Sequence, residues 1–469
     1  MEFTSQTLLH AVIGSNGSGK SNLIEAILLI LIGCYFEKTP RFEFHLEFET
    51  HGQIVVLQRN NGRFFISANG HQIPLSQFSR RLRENPGQDF YPSLILIYYS
   101  GECRRVQKLI ASYRRHFQKL TRNPETDRFR PLFVQSSNEQ SQSILVGLFA
   151  HGYQNLLDRL QLEAISDVKI VLCSPAGFDP EVHEPILWNT EGAIRRIVSA
   201  IDATSSEQTG MGILEIPREN LADGSRRRIR KPLKRTYHFR EGRETGIKKL
   251  AQRLQAGGEN VYLALESLRA RGMLISVSFR LKRKNEDSRF SFDSLSEGEK
   301  QLLAVIGAAT LTHQKENLIL LDEPDTHLNP HWSWDYPSMF AEAMPPSSSS
   351  TVLMATHDPV IISGMSREQV LLAHPNSQGF SRPHRNPRGQ GIANLLCSAE
   401  FFGLPSSLDK ETQKLLDERL ALSVKETLSD QDRTRLRALN QKLEILPGVS
   451  ERDPHYVRFL REHPDLAQG

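Results

Sequence analysis

Residues Gly14 to Ser21 form a glycine-rich run that can surround a pyrophosphate group: Gly-Ser-Asn-Gly-Ser-Gly-Lys-Ser. The pattern G-x-x-x-x-G-K-[ST] has this role when a strand precedes it and a helix follows it. Apolar residues 8–13 predict the strand, and residues 22–32 predict the helix. In such a loop, glycines let backbone N–H groups approach phosphate oxygens, and the helix N-terminus adds partial positive charge.

Individual side chains of this loop predict further contacts. Lys20 is expected to reach the β- and γ-phosphates of a nucleoside triphosphate, and Ser21 to ligate Mg²⁺. The expected nucleotide-binding segment consists of Gly14, Ser15, Asn16, Gly17, Ser18, Gly19, Lys20, Ser21 and Asn22. The alternative is a Gly/Ser-rich turn without a ligand, which the strand–loop–helix context disfavours.

The second half of the chain contains two apolar runs that end in chemically active residues. Residues 318–324, Leu-Ile-Leu-Leu-Asp-Glu-Pro, predict a buried strand that delivers Asp322 beside Mg²⁺. Glu323 would then orient and deprotonate the attacking water, which makes it the candidate catalytic base. The second run, 351–355, leads to His357, a candidate contact to the γ-phosphate. Taken alone, the first run is also compatible with an ordinary core strand that ends in an acidic turn.

A second candidate anion site lies at residues 295–299, Leu-Ser-Glu-Gly-Glu, which open a helical run. Ser and Gly at a helix N-terminus can bind an anion, although an ordinary helix cap has the same composition. Ser296, Gly298 and Glu299 are therefore predicted nucleotide-binding residues.

In this order, the motifs resemble those of ABC-type ATPases, in particular the SMC and RecF-like branch. The resemblance covers residues 8–33 and about 290–360. It implies an α/β fold with an ABC-type head, in which a mixed sheet surrounds the phosphate-binding loop, and it implies ATP and Mg²⁺ as ligands. It also implies a homodimer or higher oligomer in which Ser296 and Gly298 of one subunit contact the γ-phosphate held by another. An isolated subunit is then expected to be nearly inactive.

The chain departs from this family pattern in two places. Related heads carry antiparallel strands before the phosphate-binding loop, whereas Met1 lies almost on that strand. We therefore expect either that the true start lies upstream of Met1 or that this head lacks those strands and their adenine contacts. The family's Q-loop glutamine has two candidates, Gln53 and Gln58, and neither is favoured.

The motifs predict four regions. Residues 1–134 and 271–375 are expected to form the two lobes of the head, and residues 135–270 a mixed, mostly helical insertion. Residues 376–469 are expected to form a linker and a helical region that docks a partner. No sustained heptad pattern and no cysteine hook accompany the insertion, so it is not expected to form a long coiled coil.

Several local patterns predict secondary structure within these regions. Residues 42–73 alternate apolar and polar side chains, which predicts an antiparallel meander. Other expected elements are strands at 93–101 and 168–173, and helices at 104–119, 141–164, 192–203 and 410–426. A last helix is expected after a cap formed by Ser429 and Asp432, with Leu436, Leu439, Leu443 and Leu446 along one stripe, completing a C-terminal helical hairpin.

A cluster of basic residues lies within the insertion, at Arg226, Arg227, Arg228, Arg230 and Lys231. Such a cluster can bind a nucleic-acid backbone. A solvated loop is an equally weighted interpretation, since charged runs usually face water.

The C-terminal region adds a narrower resemblance. Its FFGLPSSLD segment, its two predicted helices and its RDPHYVRFL ending look like the PtuA family, the ATPase subunits of bacterial Septu anti-phage systems. Similar ATPases accompany some retrons. The resemblance implies an HNH-type nuclease partner bound through the C-terminal region, a role in defence, and in the retron case a reverse transcriptase and its RNA.

Three other functions compete with this interpretation. An OLD-like nuclease with its own metal site would need acidic clusters for two-metal chemistry. After His357 the sequence offers no strand that ends in Glu-Gly and no Asp-x-Asp on an apolar strand. A RecF- or SMC-like recombination or repair ATPase would need its basic cluster to face DNA. A transporter ATPase is disfavoured by the long insertion.

The bulk composition sets the remaining limits. The chain has 469 residues and a net charge of +4, which does not by itself indicate nucleic-acid binding. Its four cysteines lack metal-binding spacing and are expected to be buried thiols in a reducing cytoplasm. No apolar run is long enough to span a membrane, and no signal-peptide pattern is present, so the expected location is cytoplasmic.

Overall fold

The structure is a computed structural model, and it describes residues 9–84, 90–101, 103–120, 131–175, 186–213, 233–240, 246–313, 316–345, 349–375, 379–425 and 428–444. The chain forms two compact units, Met1–Gly389 and Gln390–Gly469.

The strands of the first unit are β1 Leu9–Ile13, β2 Phe44–Thr50, β3 Gln53–Asn60, β4 Arg63–Ala68, β5 His71–Gln72, β6 Leu94–Tyr99, β7 Phe133–Ser136, β8 Leu162–Cys173, β9 Glu207–Ile213, β10 Leu233–Phe239, β11 Leu274–Arg283, β12 Arg289–Ser291, β13 Asn317–Asp322, β14 Thr351–Ala355, β15 Val370–Ala373 and β16 Phe380–Ser381. Its helices are α1 Lys20–Phe36, α2 Leu75–Glu84, α3 Arg104–Leu120, α4 Asn138–His151, α5 Gln154–Arg159, α6 Gly192–Thr204, α7 Gly246–Gln255, α8 Val261–Ala270, α9 Glu297–Leu302, α10 Ala308–Thr312, α11 Pro330–Ala343 and α12 Pro359–Ser363.

The central sheet has seven strands in the order β16-β15-β1-β14-β13-β6-β7, and all neighbours are parallel except β15 and β16. Its middle strands are short apolar runs buried on both faces, as parallel strands usually are. The strands predicted at 8–13, 93–101, 318–324 and 351–355 are confirmed, and so is the α/β class. Since β1, β13 and β14 are parallel neighbours, their carboxyl ends meet at one edge.

A second, antiparallel sheet of β2, β3, β4 and β5 confirms the meander predicted for residues 42–73. The turn between β3 and β4 uses Asn61 and Gly62, both with positive φ, as a tight two-residue hairpin requires. Val55, Leu57 and Ile66 are buried in the same apolar cluster as α1. This sheet therefore braces the helix that follows the phosphate-binding loop.

The third sheet has the order β12-β11-β8-β10-β9 and is antiparallel throughout. The helix predicted for 192–203 is confirmed as α6. The helix predicted for 141–164 is wrong at its end, because β8 already begins at Leu162. Gly152 and Gln161 adopt positive φ, so the chain turns twice where the apolar spacing still looked helical.

The second unit contains α13 Ile392–Cys397, α14 Lys410–Ser423 and α15 Asp430–Glu444. The last two form the expected helical hairpin around a core of Leu422, Leu436 and Leu439. Ser429 and Asp432 exchange the predicted cap bonds at 3.1 Å each. Leu446 and residues 452–460 lie outside the described residues.

Two expectations from composition can be compared with this structure. Cys34 and Cys173 are buried, but Cys103 is half-buried and Cys397 is exposed, so the prediction of four buried thiols is wrong for the last two. Cys397 ends a six-residue helix whose buried residue is Leu395. Across the described part of the chain, no helix is both long and apolar enough to cross a membrane.

Candidate functional site: a phosphate-binding loop at the sheet edge

The loop of residues 14–19 connects β1 to α1 as the sequence predicted. A Cβ on Gly14 would lie 2.5 Å from the carbonyl oxygen of Ala373 on β15, and its φ is +154°, so a side chain here would be strained. Gly17 and Gly19 have φ values of +80° and +96°, which glycine adopts at low cost. The loop is therefore shaped by its glycines, and residues 15–17 at its tip are exposed.

Lys20 is the first residue of α1, and its ammonium folds back over this loop. Its Nζ donates to the carbonyl oxygens of Gly14 at 2.8 Å and Ser15 at 3.2 Å. Burial lowers its pKa, while the charges of Glu323 and Asp322 act in the opposite direction. The hydroxyl of Ser18 is buried with no hydrogen-bond partner among the described residues. A cation and an unused donor thus face the loop, which fits the phosphates of a bound nucleotide.

The carboxylate at the end of β13 meets this loop directly. Ser21 Oγ donates to Asp322 Oδ1 at 2.8 Å, although the two residues are 301 positions apart. Burial raises the pKa of Asp322, and the hydrogen bond from Ser21 opposes that shift. A hydroxyl and a partly desolvated carboxylate are ligands that Mg²⁺ accepts when it also binds nucleotide phosphates. The sequence assigned Mg²⁺ to Ser21 and Asp322, and their contact would allow both to hold that ion.

Glu323 and His357 form a second pair at the same edge. His357 Nδ1 lies 3.4 Å from Glu323 Oε1, and both side chains are partly exposed. The backbone N–H of Glu323 donates to the carbonyl of Ala355 on β14, at 2.9 Å. Glu323 also has φ of +49°, an unusual conformation for a residue with a side chain. Strain of this kind is concentrated at functional sites, and here it directs Glu323 away from the course of β13.

Behind this pair lies a buried hydrogen-bond chain that the sequence did not reveal. Thr356 donates from its backbone to Val12 at 3.1 Å, and from its hydroxyl to Asp325 Oδ2 at 2.8 Å. The same hydroxyl accepts from the N–H of Asp358 at 3.0 Å. Thr356 thus fixes the backbone on both sides of His357 against β1 and against the loop that carries Asp325.

The Asp325 carboxyl predicts a pH dependence of stability. Burial raises its pKa from 3.8 to about 6, so between these values the folded protein binds more protons than the unfolded chain. The resulting stabilisation is full below pH 3.8 and is lost as the pH rises through 6. The unfolding free energy of wild type should fall by about 1 kcal/mol between pH 5 and pH 7 when it is compared with that of Asp325→Asn, which has no carboxyl at this position.

Urea unfolding of both proteins at the two pH values measures this difference. Asp358→Asn, at the half-buried neighbouring carboxyl, is the matched control and should show a smaller change. A wild-type-to-variant difference that is constant with pH would mean that Asp325 is ionised throughout.

The predicted signature residues are held by partners of their own. Ser296 caps α9, and it exchanges hydrogen bonds with Glu299 in a capping box, at 2.7 and 3.2 Å. Glu299 also pairs with Arg283 of β11 at 2.9 Å. A Cβ on Gly298 would lie 2.6 Å from the carbonyl oxygen of His327, so α9 packs closely on the loop after β13. Ser296 is exposed, which leaves the start of α9 accessible to another molecule.

Three other predictions have different outcomes. The basic cluster at 226–231 lies outside the described residues. Gln53 and Gln58 both lie on β3, which belongs to the antiparallel meander and not to the central sheet. In the described part of the chain, no group of three or more His, Cys, Asp or Glu side chains is arranged to hold a metal on its own.

One comparison with known protein families agrees with a nucleotide-binding site. Residues 211–363 match the family model described as "AAA domain, putative AbiEii toxin, Type IV TA system". No curated protein matches the chain. The loop at residues 14–21 has the sequence and the strand–loop–helix setting of a P-loop, and the matched family model supports an ATPase.

Similar solved structures include heads of SMC proteins. The SMC head domain from Thermotoga maritima is 14% identical, with a TM-score of 0.31 over 79% of this chain and 87% of that one. An Smc head with a coiled coil and joint from Pyrococcus yayanosii is 14% identical, with a TM-score of 0.31 over 81% and 93%. An Smc head bound to the C-terminal winged-helix domain of ScpA is 13% identical, with a TM-score of 0.33 over 79% and 87%.

Proposed function

We propose that this chain is the ATP-binding and ATP-hydrolysing subunit of a bacterial anti-phage defence complex, and that its ATP-dependent dimer controls a partner nuclease of the HNH type. The observation that carries the ATPase part is the convergence of Lys20, Ser21, Asp322, Glu323 and His357 at one edge of the central sheet. In the sequence these residues lie near the start and near the end of the first unit, and the folding of that unit brings them together.

Each residue has a role that follows from its position. Lys20 leaves its two carbonyl partners to neutralise phosphate charge, while the loop N–H groups hold the phosphate oxygens. Glu323 accepts a proton from the attacking water, and His357, 3.4 Å away, orients that carboxylate. Bound Mg²⁺ supplies further neutralisation of phosphate charge. A Gln at position 323 would keep the shape but lose the base.

The dimer part of the proposal rests on the signature. Ser296 and Gly298 are held by their own subunit at the start of α9, yet Ser296 faces solvent. A helix N-terminus is a suitable site for a phosphate group. We assign this surface to the γ-phosphate of ATP bound to a second copy, so that two composite sites form per dimer.

The defence part rests on the C-terminal unit and on the resemblance of its segments to PtuA proteins. Residues 390–469 form a compact unit with its own small core, which is suited to docking another protein. The description of the matching family model names a toxin and a toxin–antitoxin system, which accords with a chain that acts together with a partner.

Deletion of residues 390–469 tests whether the first unit binds ATP while the C-terminal unit binds the partner. The shortened protein should bind ATP as wild type does, because the phosphate-binding loop and its partners all lie in the first unit. It should no longer co-purify with the product of the neighbouring open reading frame. Leu436→Asp, which places a charge in the hairpin core, should cause the same loss in the full chain.

Two outcomes would contradict the proposal. Loss of ATP binding on deletion would make the C-terminal unit a part of the head. A neighbouring gene product without HNH residues, or one that still binds the shortened protein, would remove the proposed docking role.

A further inference from the structure

We propose that the exposed face of α3 binds the phosphate backbone of a nucleic acid. This helix carries six Lys or Arg residues and no Asp or Glu among its 17 residues. The net charge of the whole chain is only +4, so this is a local concentration of charge. The proposal goes beyond the ATPase function and does not depend on the nuclease partner.

The helix is oriented by its apolar residues. Val106, Ile110, Tyr113 and Phe117 follow helical spacing, and each is 1% exposed in the core beneath α1 and β7. Tyr113 also accepts a hydrogen bond from the N–H of Leu132 at 2.8 Å. The opposite face cannot turn inwards, so Arg104, Lys108 and Arg115 are held towards solvent.

Three basic side chains of this face have no acidic partner among the described residues. Arg104, Lys108 and Arg115 are exposed, and the bonds of Arg115 run only to its own helix, to Ala111 O and Ser112 Oγ at 3.4 Å. Arg105 alone has an ion pair, with Glu25 at 2.9 Å. By helical rise, Arg104 to Lys108 to Arg115 spans about 16 Å in a line.

Several basic residues elsewhere in the same unit have acidic partners. Arg159 pairs with both Asp335 and Glu342, and Lys284 pairs with Asp158, all within 2.9 Å. Among the described side chains of α3, by contrast, only Arg105 has a carboxylate partner, Glu25. Unneutralised cations in a line attract a polyanion, and binding releases its counterions.

The residues between the cations favour a nucleic acid over a membrane surface. The exposed positions among them are Gln107 and Ala111, and Ser112 is half-exposed. Gln and Ser side chains commonly contact phosphate and sugar oxygens. A membrane-surface helix would need large apolar side chains on its exposed side, whereas those of α3 are buried in the core.

The position of α3 places this surface beside the ATP site. The helix follows β6, and Ser100, between them, donates its N–H to the backbone carbonyl of Asp322 at 3.1 Å. Arg105 pairs with Glu25 on α1, the helix that begins at Lys20. A bound backbone would therefore contact the elements that hold the nucleotide.

The proposal is tested by fluorescence anisotropy at about 50 and 200 mM KCl. The labelled probes are single-stranded DNA and RNA of about 30 nucleotides and duplex DNA of about 30 base pairs. The variant Lys108→Glu/Arg115→Glu should bind at least about tenfold more weakly than wild type. The plot of log binding constant against log salt concentration should become shallower by about 2 units of slope. The control Arg195→Glu/Arg253→Glu changes the same number of exposed cations on α6 and α7 and should stay within about twofold of wild type. ATP binding should be unchanged in both variants, which shows that they are folded.

Four results would overturn the proposal. These are no binding by wild type, equal losses in the two double variants, no loss in the α3 variant, or tighter α3-dependent binding to phosphatidylserine vesicles than to any nucleic acid. If wild type binds nucleic acid through α3 but does not hydrolyse ATP, then the proposed function fails and this inference stands.

Discussion

Glu323→Gln should bind ATP as tightly as wild type and hydrolyse it at least about 100-fold more slowly. Glu323 follows the strand that carries Asp322, has a strained backbone, and lies 3.4 Å from His357. Glutamine has nearly the same shape but cannot accept the proton of the attacking water. The loss should therefore appear in turnover and not in binding.

Phosphate release and equilibrium binding of a fluorescent ATP analogue separate these two effects. Glu411→Gln makes the same chemical change at an exposed carboxylate of the second unit and should leave both measurements unchanged. Hydrolysis by Glu323→Gln at the wild-type rate would show that another group is the base. A parallel loss of ATP binding would show that Glu323 holds the nucleotide instead.

Two inactive variants should restore activity when they are mixed. Lys20→Ala removes the cation that faces the phosphates, and Ser296→Arg places a bulky cation at the exposed start of α9. Each alone should hydrolyse ATP at least about 100-fold more slowly than wild type. In a mixed dimer, one composite site combines an intact loop with an intact signature.

An equal mixture should regain about a quarter of wild-type turnover, since half of randomly assorted dimers are mixed and each has one complete site. Mixing Lys20→Ala with Glu323→Gln is the matched control. In that mixed dimer, the subunit with an intact loop lacks its own base, so no activity should return. If Ser296→Arg is fully active alone, or if the first mixture dimerises without recovery, then the signature does not complete the site.

The sequence predicted the parts of this fold that depend on local pattern. The apolar runs of β1, β13 and β14 identify buried parallel strands, and the alternation in residues 42–73 identifies an antiparallel sheet. The loop could be predicted because its glycine and lysine spacing suits a phosphate group. The two carboxylates could be predicted because they end an apolar run that reads as a buried strand. The ends of α4 and α5 were missed because positive φ at Gly152 and at Gln161 interrupts spacing that still reads as helical.

Other parts of the site depend on contacts between distant segments, which spacing does not encode. The hydrogen bonds that link Val12, Thr356 and Asp325 join three segments of the sheet edge. The packing of Gly298 against the His327 carbonyl likewise follows only from the folded positions of α9 and the loop after β13. In the sequence, Thr356 is one of many threonines, and nothing marks it as the support of His357.

The central claim is that ATP joins two copies of this chain through a composite site. Light scattering on Glu323→Gln, with and without ATP and Mg²⁺, tests it most directly, because this variant should hold ATP without consuming it. The account predicts a species near 53.2 kDa without nucleotide and about twice that mass with ATP, and Ser296→Arg in the same background should prevent the change. An identical mass in both conditions, while ATP is bound, would contradict it.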